Sequence, residues 1–398
     1  MKICFTIPNA HIGGFRTFAI NLGRQFRKDG HNVSALIATR GHEPNDLGDI
    51  NLIQQEMDLH LCLQKNVVLR SRFLRKVIQT IEKIAPDVLI LNHTMWPLAA
   101  LPYLPVNIVR IMVVHSVMDE ELREPKANSN WWDTIVAVGP GVYKILLDTW
   151  SQDKVRFIPV GVNASSLQPR QEFTNLPLQI CYIGRLSQSQ KNILLIPIIA
   201  RVLVNKGVKF HISIVGEGED GSALRAKIND LELLEYFTFW GACTHMEVEN
   251  ILSKQNILIL PSNTESIGHV IQEAQMMGVV PVASHLKLST DYVITEGEDG
   301  RLCDPGNADD FVSAIIDLYK DRIKMKRLSE NGRRNVRQRF AIAIIAKQYY
   351  QLFKDIKYFS NRDIMQKKPF MGFYSIPDLL LPPRYTTIYR IISKKLSS

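Results

Sequence analysis

At 398 residues the chain is longer than one typical hydrophobic core and fits two domains of ordinary size. Its 46% apolar and 22% charged residues, with no low-complexity run and no internal repeat, exclude disordered, fibrous and solenoid classes. A net charge of +9 suits an anionic surface, but no basic strand with interleaved aromatics accompanies it, so nucleic acid is not an expected partner. The apolar run after Met1-Lys2 is too short for a signal-peptide core and reads as a first strand. No run of about 18 uninterrupted apolar residues occurs, so no membrane span is expected. Five scattered cysteines (Cys4, Cys62, Cys181, Cys243, Cys303) form no C-x-x-C pair, which argues against a disulfide framework or a zinc site and for the cytoplasm.

The first half alternates strands with helices. KICFTIP is a strand, and Phe15, Phe18, Ala19, Leu22 and Phe26 form the apolar stripe of a helix that Asp29-Gly30 ends. NVSALIA, residues 87–92, residues 108–115 and residues 133–139 are further strands, implying a mostly parallel, doubly wound sheet. Ligands of such sheets bind beyond the carboxyl ends of the strands. Two ends stand out: the Pro8–Gly14 loop, with its Gly13-Gly14 pair, and His115; His93 reads as structural. After VRFIPVGVNASSLQP, a polar stretch with two prolines reads as a linker.

The second half restarts the alternation with LQICYIGRL, a loop to Lys191-Asn192 and the helix NILLIPIIARVLVNKG. HISIVGEGED ends in a glycine loop, FTFWGAC is a strand, and NILILPS delivers the chain to Glu265. LPSNTESIGHVIQEAQMMGVVPVAS reads as a strand end, a polar turn, a short helix and a second strand. Ser266-Ile267-Gly268-His269 supplies the helix start, where unpaired N–H groups and the helix dipole favour an anion. One carboxylate, Glu265, precedes those groups and another, Glu273, follows them, a plausible cradle for a diphosphate with hydroxyls at both ends.

Glu265 and Glu273, seven residues apart and followed by Ala274, Gly278 and Pro281-Val282, resemble the E-x7-E motif of retaining glycosyltransferases of family 4. Gly184-Arg185-Leu186 with Lys191 resembles that family's GRL-x4-KG motif, with Asn192 in place of its glycine. Gly216-Glu217-Gly218 resembles its G-x-G turn, and Gly13-Gly14 its N-terminal Gly-Gly loop. Residues 285–291 depart from the Gly-Gly-x-x-Glu segment usual there, and Val160–Asn163 departs mildly from Asn-Gly-Val-Asp.

The resemblance covers residues 1–356 and implies the GT-B fold, α/β, with two Rossmann-like doubly wound domains facing across a cleft. Expected boundaries are 1–168 for an acceptor-side domain, 169–340 for a nucleotide-sugar-binding domain and 341–356 for a crossover helix, with a basic and apolar extension over 357–398. His115 and Glu265 are the implied catalytic residues. Gly14, Arg185, Lys191, Gly216, Ser266, Ile267, Gly268, His269 and Glu273 are the implied donor contacts. No cofactor is expected, the UDP- or GDP-linked sugar being a substrate. No metal is expected either, because Arg185, Lys191 and the helix at Gly268 would supply the positive charge. The acceptor class is a glycan or lipid-linked glycan, as in cell-surface polysaccharide assembly.

The helical stretch from Lys320 to Arg339 reads as a solvated basic helix. The extension, with eight basic and two acidic residues around FMGFYSIPDLLLPP, suits docking at the inner face of an anionic membrane; the competing reading is a tail packed on the first domain or partly disordered. A catalytically silent sugar-nucleotide or glycan-binding partner, a sugar-nucleotide epimerase and a phosphorylase are the competing readings.

Overall fold

A computed structural model describes residues 1–11, 13–40, 47–48, 50–64, 70–92, 94–116, 126, 128–163 and 177–359. The chain divides into two compact units, Met1–Val138 with Val142–Ile158 and Ala346–Ser398, and Gly139–Gly141 with Pro159–Ile345. The compact units therefore part at Ile158/Pro159. The expected boundary at 168/169, His93 and the extension beyond Phe359 lie outside the described residues.

Among the described residues the first unit holds seven strands: β1 (Lys2–Thr6), β2 (Asn32–Arg40), β3 (Asp58–Gln64), β4 (Val88–Asn92), β5 (Val109–Val114), β6 (Thr134–Ala137) and β7 (Val155–Phe157). They lie in the order β3-β2-β1-β4-β5-β6-β7, and every pairing is parallel. β4, β5 and β6 are buried at every position, as expected of strands covered on both faces, which is why they read as unbroken apolar runs. β3 was not anticipated. It is an edge strand, DLHLCLQ, mostly half-exposed, so it lacks such a run. The chain order reverses at β1/β4, the switch point that opens a crevice at the strands' carboxyl ends.

The second unit repeats the plan with β8 (Leu178–Ile183), β9 (Phe210–Val215), β10 (Phe237–Gly241), β11 (Ile257–Leu260), β12 (Val280–Ser284) and β13 (Arg301–Cys303). Their order is β10-β9-β8-β11-β12-β13, again all parallel, with the switch at β8/β11. β13, only three residues long, was also missed by the sequence reading.

The basic helix expected from Lys320 to Arg339 runs over Arg322–Arg339, behind a separate helix, Ala308–Lys320. Asp321 parts the two and caps the second by accepting a hydrogen bond from Lys324 N at 2.8 Å. The expected crossover helix runs over Ile342–Phe359. From Ala346 it is part of the first unit, where Tyr349 and Phe353 join the buried Phe26 at ring distances of 6.4 and 5.9 Å. All five cysteines are buried and unpaired. Among the described residues no helix is long and apolar enough to cross a membrane.

Candidate active site

In the second unit the loops after β8 and β9 continue side by side beyond their strands. Gly184 N donates to Val215 O at 3.0 Å and Leu186 N to Glu217 O at 2.9 Å. Gly216 holds φ +124°, and a Cβ there would overlap Gly184 O, so this glycine is demanded by the close approach of two backbones. The buried Tyr182 hydroxyl donates to Arg185 O at 2.7 Å and fixes the loop. Burial, reinforced by the charge of Glu265, pushes that phenol well above its ordinary range. The Arg185 side chain points into an exposed ion pair, Nε to Glu219 Oε2 at 3.0 Å. Hydrogen bonds from its own backbone N–H and from Ser187, with Arg185 alongside, hold the Glu219 carboxyl below the usual carboxylate range.

Residues Gln188–Lys191 form one helical turn that ends on Asn192 at φ 50°, ψ 43°. Asparagine is the side chain that most readily takes this left-handed conformation after glycine, and Gln188 Nε2 donates to its Oδ1 at 2.8 Å. The turn expected of glycine is thus preserved. It presents Lys191, whose Nζ donates to Glu265 Oε1 at 2.5 Å; the two side chains are only 20% and 10% exposed. Ser262 Oγ donates to the same oxygen at 2.8 Å. Asn263 N and Thr264 N both donate to Gln190 O, at 2.9 and 3.2 Å, so the turn after β11 is stitched to the turn that carries the lysine. Ser289 Oγ donates to Glu265 O at 2.9 Å, which puts residues 285–291, where the family pattern lapses, in contact with the acidic turn.

The helix begins at His269 rather than at Ser266. Ser266 and Ile267 belong to the turn, and Gly268 is the N-cap at φ 67°, ψ 58°, a left-handed conformation that glycine takes without side-chain strain. No side chain caps this helix (His269–Met276), so its first N–H groups are offered to an anion. Glu273 lies one turn in, with His269 Nδ1 at 3.8 Å and His245 Nδ1 at 3.9 Å from its Oε1. His245, which sequence reasoning passed over, opens the helix His245–Leu252 behind a capping box of Thr244 and Glu247. That T-x-x-E pattern was the available signal.

The first unit carries the other two expected residues. Gly14 opens the helix Gly14–Lys28, and Gly13 before it is extended at φ 170°. A Cβ on either would meet nothing within 4 Å, so the chain's own packing does not require glycine there. His115 directly follows β5. Its Nε2 lies 2.9 Å from Asn92 Oδ1 at the end of β4. Phe15 and Phe18 of the Gly14–Lys28 helix meet its ring edge-to-face at 4.7 and 5.0 Å. Gly14 and His115 therefore belong to one local assembly. Arg185, Lys191, Gly216, Glu265, Ser266, Ile267, Gly268, His269 and Glu273 lie on the second unit's loops and helix start. Among the described residues no group of three or more His, Cys, Asp or Glu side chains could hold a metal ion.

Two parallel sheets, each with candidate residues at the carboxyl ends beside a switch point, make up the GT-B fold. Residues 12–166 match the Glycosyltransferase Family 4 model and residues 167–335 the Glycosyl transferases group 1 model, and the chain belongs to this glycosyltransferase family. It is 26% identical to N-acetyl-alpha-D-glucosaminyl L-malate synthase of Bacillus anthracis over 37% of this chain and 38% of that one. It is 25% identical to the lipopolysaccharide core biosynthesis glycosyltransferase LpsE of Rhizobium meliloti over 55% of this chain and 64% of that one. The matched stretch thus spans less than two thirds of either curated relative. In fold it is similar to S. aureus TarM, solved with UDP, Fondaparinux and alpha-GlcNAc-glycerol (TM-score 0.74, 13% identity, covering 88% of this chain and 99% of that one). It is also similar to Anabaena HepE, solved with UDP and glucose (TM-score 0.72, 17% identity, 89% and 100%).

Proposed function

We propose that this protein is a retaining glycosyltransferase that moves a sugar from a nucleotide-sugar donor to a glycan or lipid-linked glycan acceptor in cell-surface polysaccharide or glycolipid assembly. The observation that carries the reading is the Lys191–Glu265 pair at 2.5 Å, set in the turn that leads to an uncapped helix start. A diphosphate competes with Glu265 for the ammonium. When Lys191 turns to the phosphates, Glu265 Oε1 is released to accept from donor-sugar hydroxyls, so one exchange arms both groups. Arg185 and the N–H groups after Gly268 share the phosphate charge, and Glu273 accepts from the ribose hydroxyls.

His115 meets the transferred sugar and favours the oxocarbenium-like state. In a front-face substitution the acceptor oxygen bonds to the anomeric carbon on the face from which the phosphate oxygen leaves. The acceptor proton passes to that departing oxygen, and no protein base is required. The growing charge on the leaving diphosphate falls on Arg185, Lys191 and the helix start, so no step in this reading calls on a metal ion. UDP is the favoured base, because the similar TarM and HepE structures were solved with it. Lipopolysaccharide core relatives favour a cell-surface glycan as the acceptor class. Docking of residues 357–398 on an anionic membrane would bring the enzyme to a lipid-linked acceptor; truncation after Ile356 that leaves liposome binding unchanged would remove that part.

The test is a thermal-shift screen of UDP, GDP, ADP and their sugar conjugates with and without EDTA, followed by NMR of the transferred sugar's anomeric centre. A shift for one base that EDTA leaves unchanged, then a product with the donor's configuration, supports the reading. An inverted product would sink the mechanism, and donor binding without turnover over a broad acceptor panel would favour a silent partner.

A further inference from the structure

Asn92 is wholly buried at the carboxyl end of β4, at the switch point between β1 and β4. Its side-chain amide touches two groups whose chemistry leaves one orientation. At 3.0 Å lies the backbone carbonyl of Thr6, which can only accept, so the amide nitrogen faces it. The amide oxygen is thereby turned to His115 Nε2, 2.9 Å away. An amide oxygen can only accept, so Nε2 must carry the proton.

Further contacts anchor the strand end and the ring. Asn92 N donates to Thr6 Oγ1 at 3.3 Å, and that hydroxyl shares a bond of 2.6 Å with Thr94 Oγ1. Phe15 and Phe18 stand nearly perpendicular to the imidazole, at 72° and 80°, and fix its plane.

We propose that Asn92 is the positioning residue of the proposed transfer: it locks His115 in the Nε2–H form. In the neutral ring this makes Nδ1 the basic nitrogen. Because Asn92 is uncharged it orients the ring without adding a carboxylate's preference for imidazolium, so His115 meets the sugar in a fixed orientation. The role in transfer rests on the glycosyltransferase reading; the tautomer does not.

The experiment is ¹⁵N NMR of the intact protein labelled at histidine, with the His115 signals assigned by their loss in His115→Gln. The wild type is expected to show a pyrrole-like Nε2 and a pyridine-like Nδ1. Asn92→Leu, close in volume but with no acceptor, is expected to mix the tautomers. It should lower kcat by about tenfold or more while the donor KM stays within about twofold, the sign of an interaction made in the transition state. Asn92→Ser is a second, smaller variant should the leucine not fold. A pyrrole-like Nδ1 in the wild type overturns the proposal, as do unchanged ring shifts in the variants or an unchanged kcat beside altered shifts. The expected ring signals in a protein that transfers no sugar from any donor would uphold the lock and defeat the glycosyltransferase reading.

Discussion

The two units share a fold and hold their candidate residues in opposite ways. In the first, His115 meets a buried asparagine and two phenyl rings, and that asparagine is tied to Thr6, whose hydroxyl meets Thr94. In the second, each charged residue expected to meet the donor already stands beside a charged or titratable side chain of the chain itself. Lys191 is with Glu265, Arg185 with Glu219, and Glu273 near His245 and His269. The hydrogen bonds of an uncharged amide fix orientation, because they depend on which atom donates and which accepts. An ion pair is a contact that an incoming diphosphate can take over. The glycines divide in the same way. Gly216 is needed by its own chain, whereas Gly13 and Gly14 are bare where the chain leaves open space.

The largest expected effect separates the two roles of the Lys191–Glu265 pair. Glu265→Gln should cut transfer by roughly two to three orders of magnitude, the scale of losing one transition-state contact. Binding of the nucleoside diphosphate should hold or tighten, since Lys191 loses its internal competitor. Isothermal titration beside steady-state kinetics reads both; a parallel loss of binding would mean that the carboxylate serves the phosphate site. The next effect compares glycines. Gly216→Ala is strained both by φ +124° and by the overlap with Gly184 O, and should cost about 2–4 kcal/mol, seen as a lower midpoint in calorimetry. Gly14→Ala should leave that midpoint within a degree or so and raise the donor or acceptor KM, because only a ligand needs the space. A destabilised Gly14→Ala would break the contrast.

Much of this was legible in the chain, for reasons that particular residues show. Buried parallel strands announce themselves as apolar runs, so β4, β5, β11 and β12 were readable, while the half-exposed edge strand β3 and the three-residue β13 were not. The glycosyltransferase motifs placed Lys191 and Glu265 in one half of the chain. That they pair with each other was not visible, because they are 74 residues apart and meet only through the stitching of Gln190 to Asn263 and Thr264. Asn92 read only as the end of a strand, since an asparagine's partners are set by the sheet order and not by spacing. His245 needed the helix start at Thr244 to be recognised before its proximity to Glu273 had any meaning.

The smallest effects concern Arg185, whose pair with Glu219 is the more exposed of the two and correspondingly weak in stability terms. Arg185→Ala should weaken nucleoside diphosphate binding about tenfold, the worth of one charge-assisted hydrogen bond, and lower transfer with it. Glu219→Gln should act in the opposite direction on binding, because it frees the guanidinium. Its effect on stability has a sign set by pH. The Glu219 carboxyl is held below its ordinary value, chiefly by its own backbone N–H and then by Ser187, so the folded state binds this proton less readily than the unfolded one. The contribution is therefore present above the unfolded value of about 4.5 and lost as pH falls through the lower folded value. Thermal melts of wild type and Glu219→Gln should differ by a small, constant amount from pH 8 to about 5.5 and draw together as pH falls through the lowered carboxylate value. A gap that widens on acidification would place the strain, rather than the stabilisation, at Glu219. In that case Arg185 would already be poised for phosphate, and the second unit's charges would be less committed to one another than the Lys191–Glu265 pair implies.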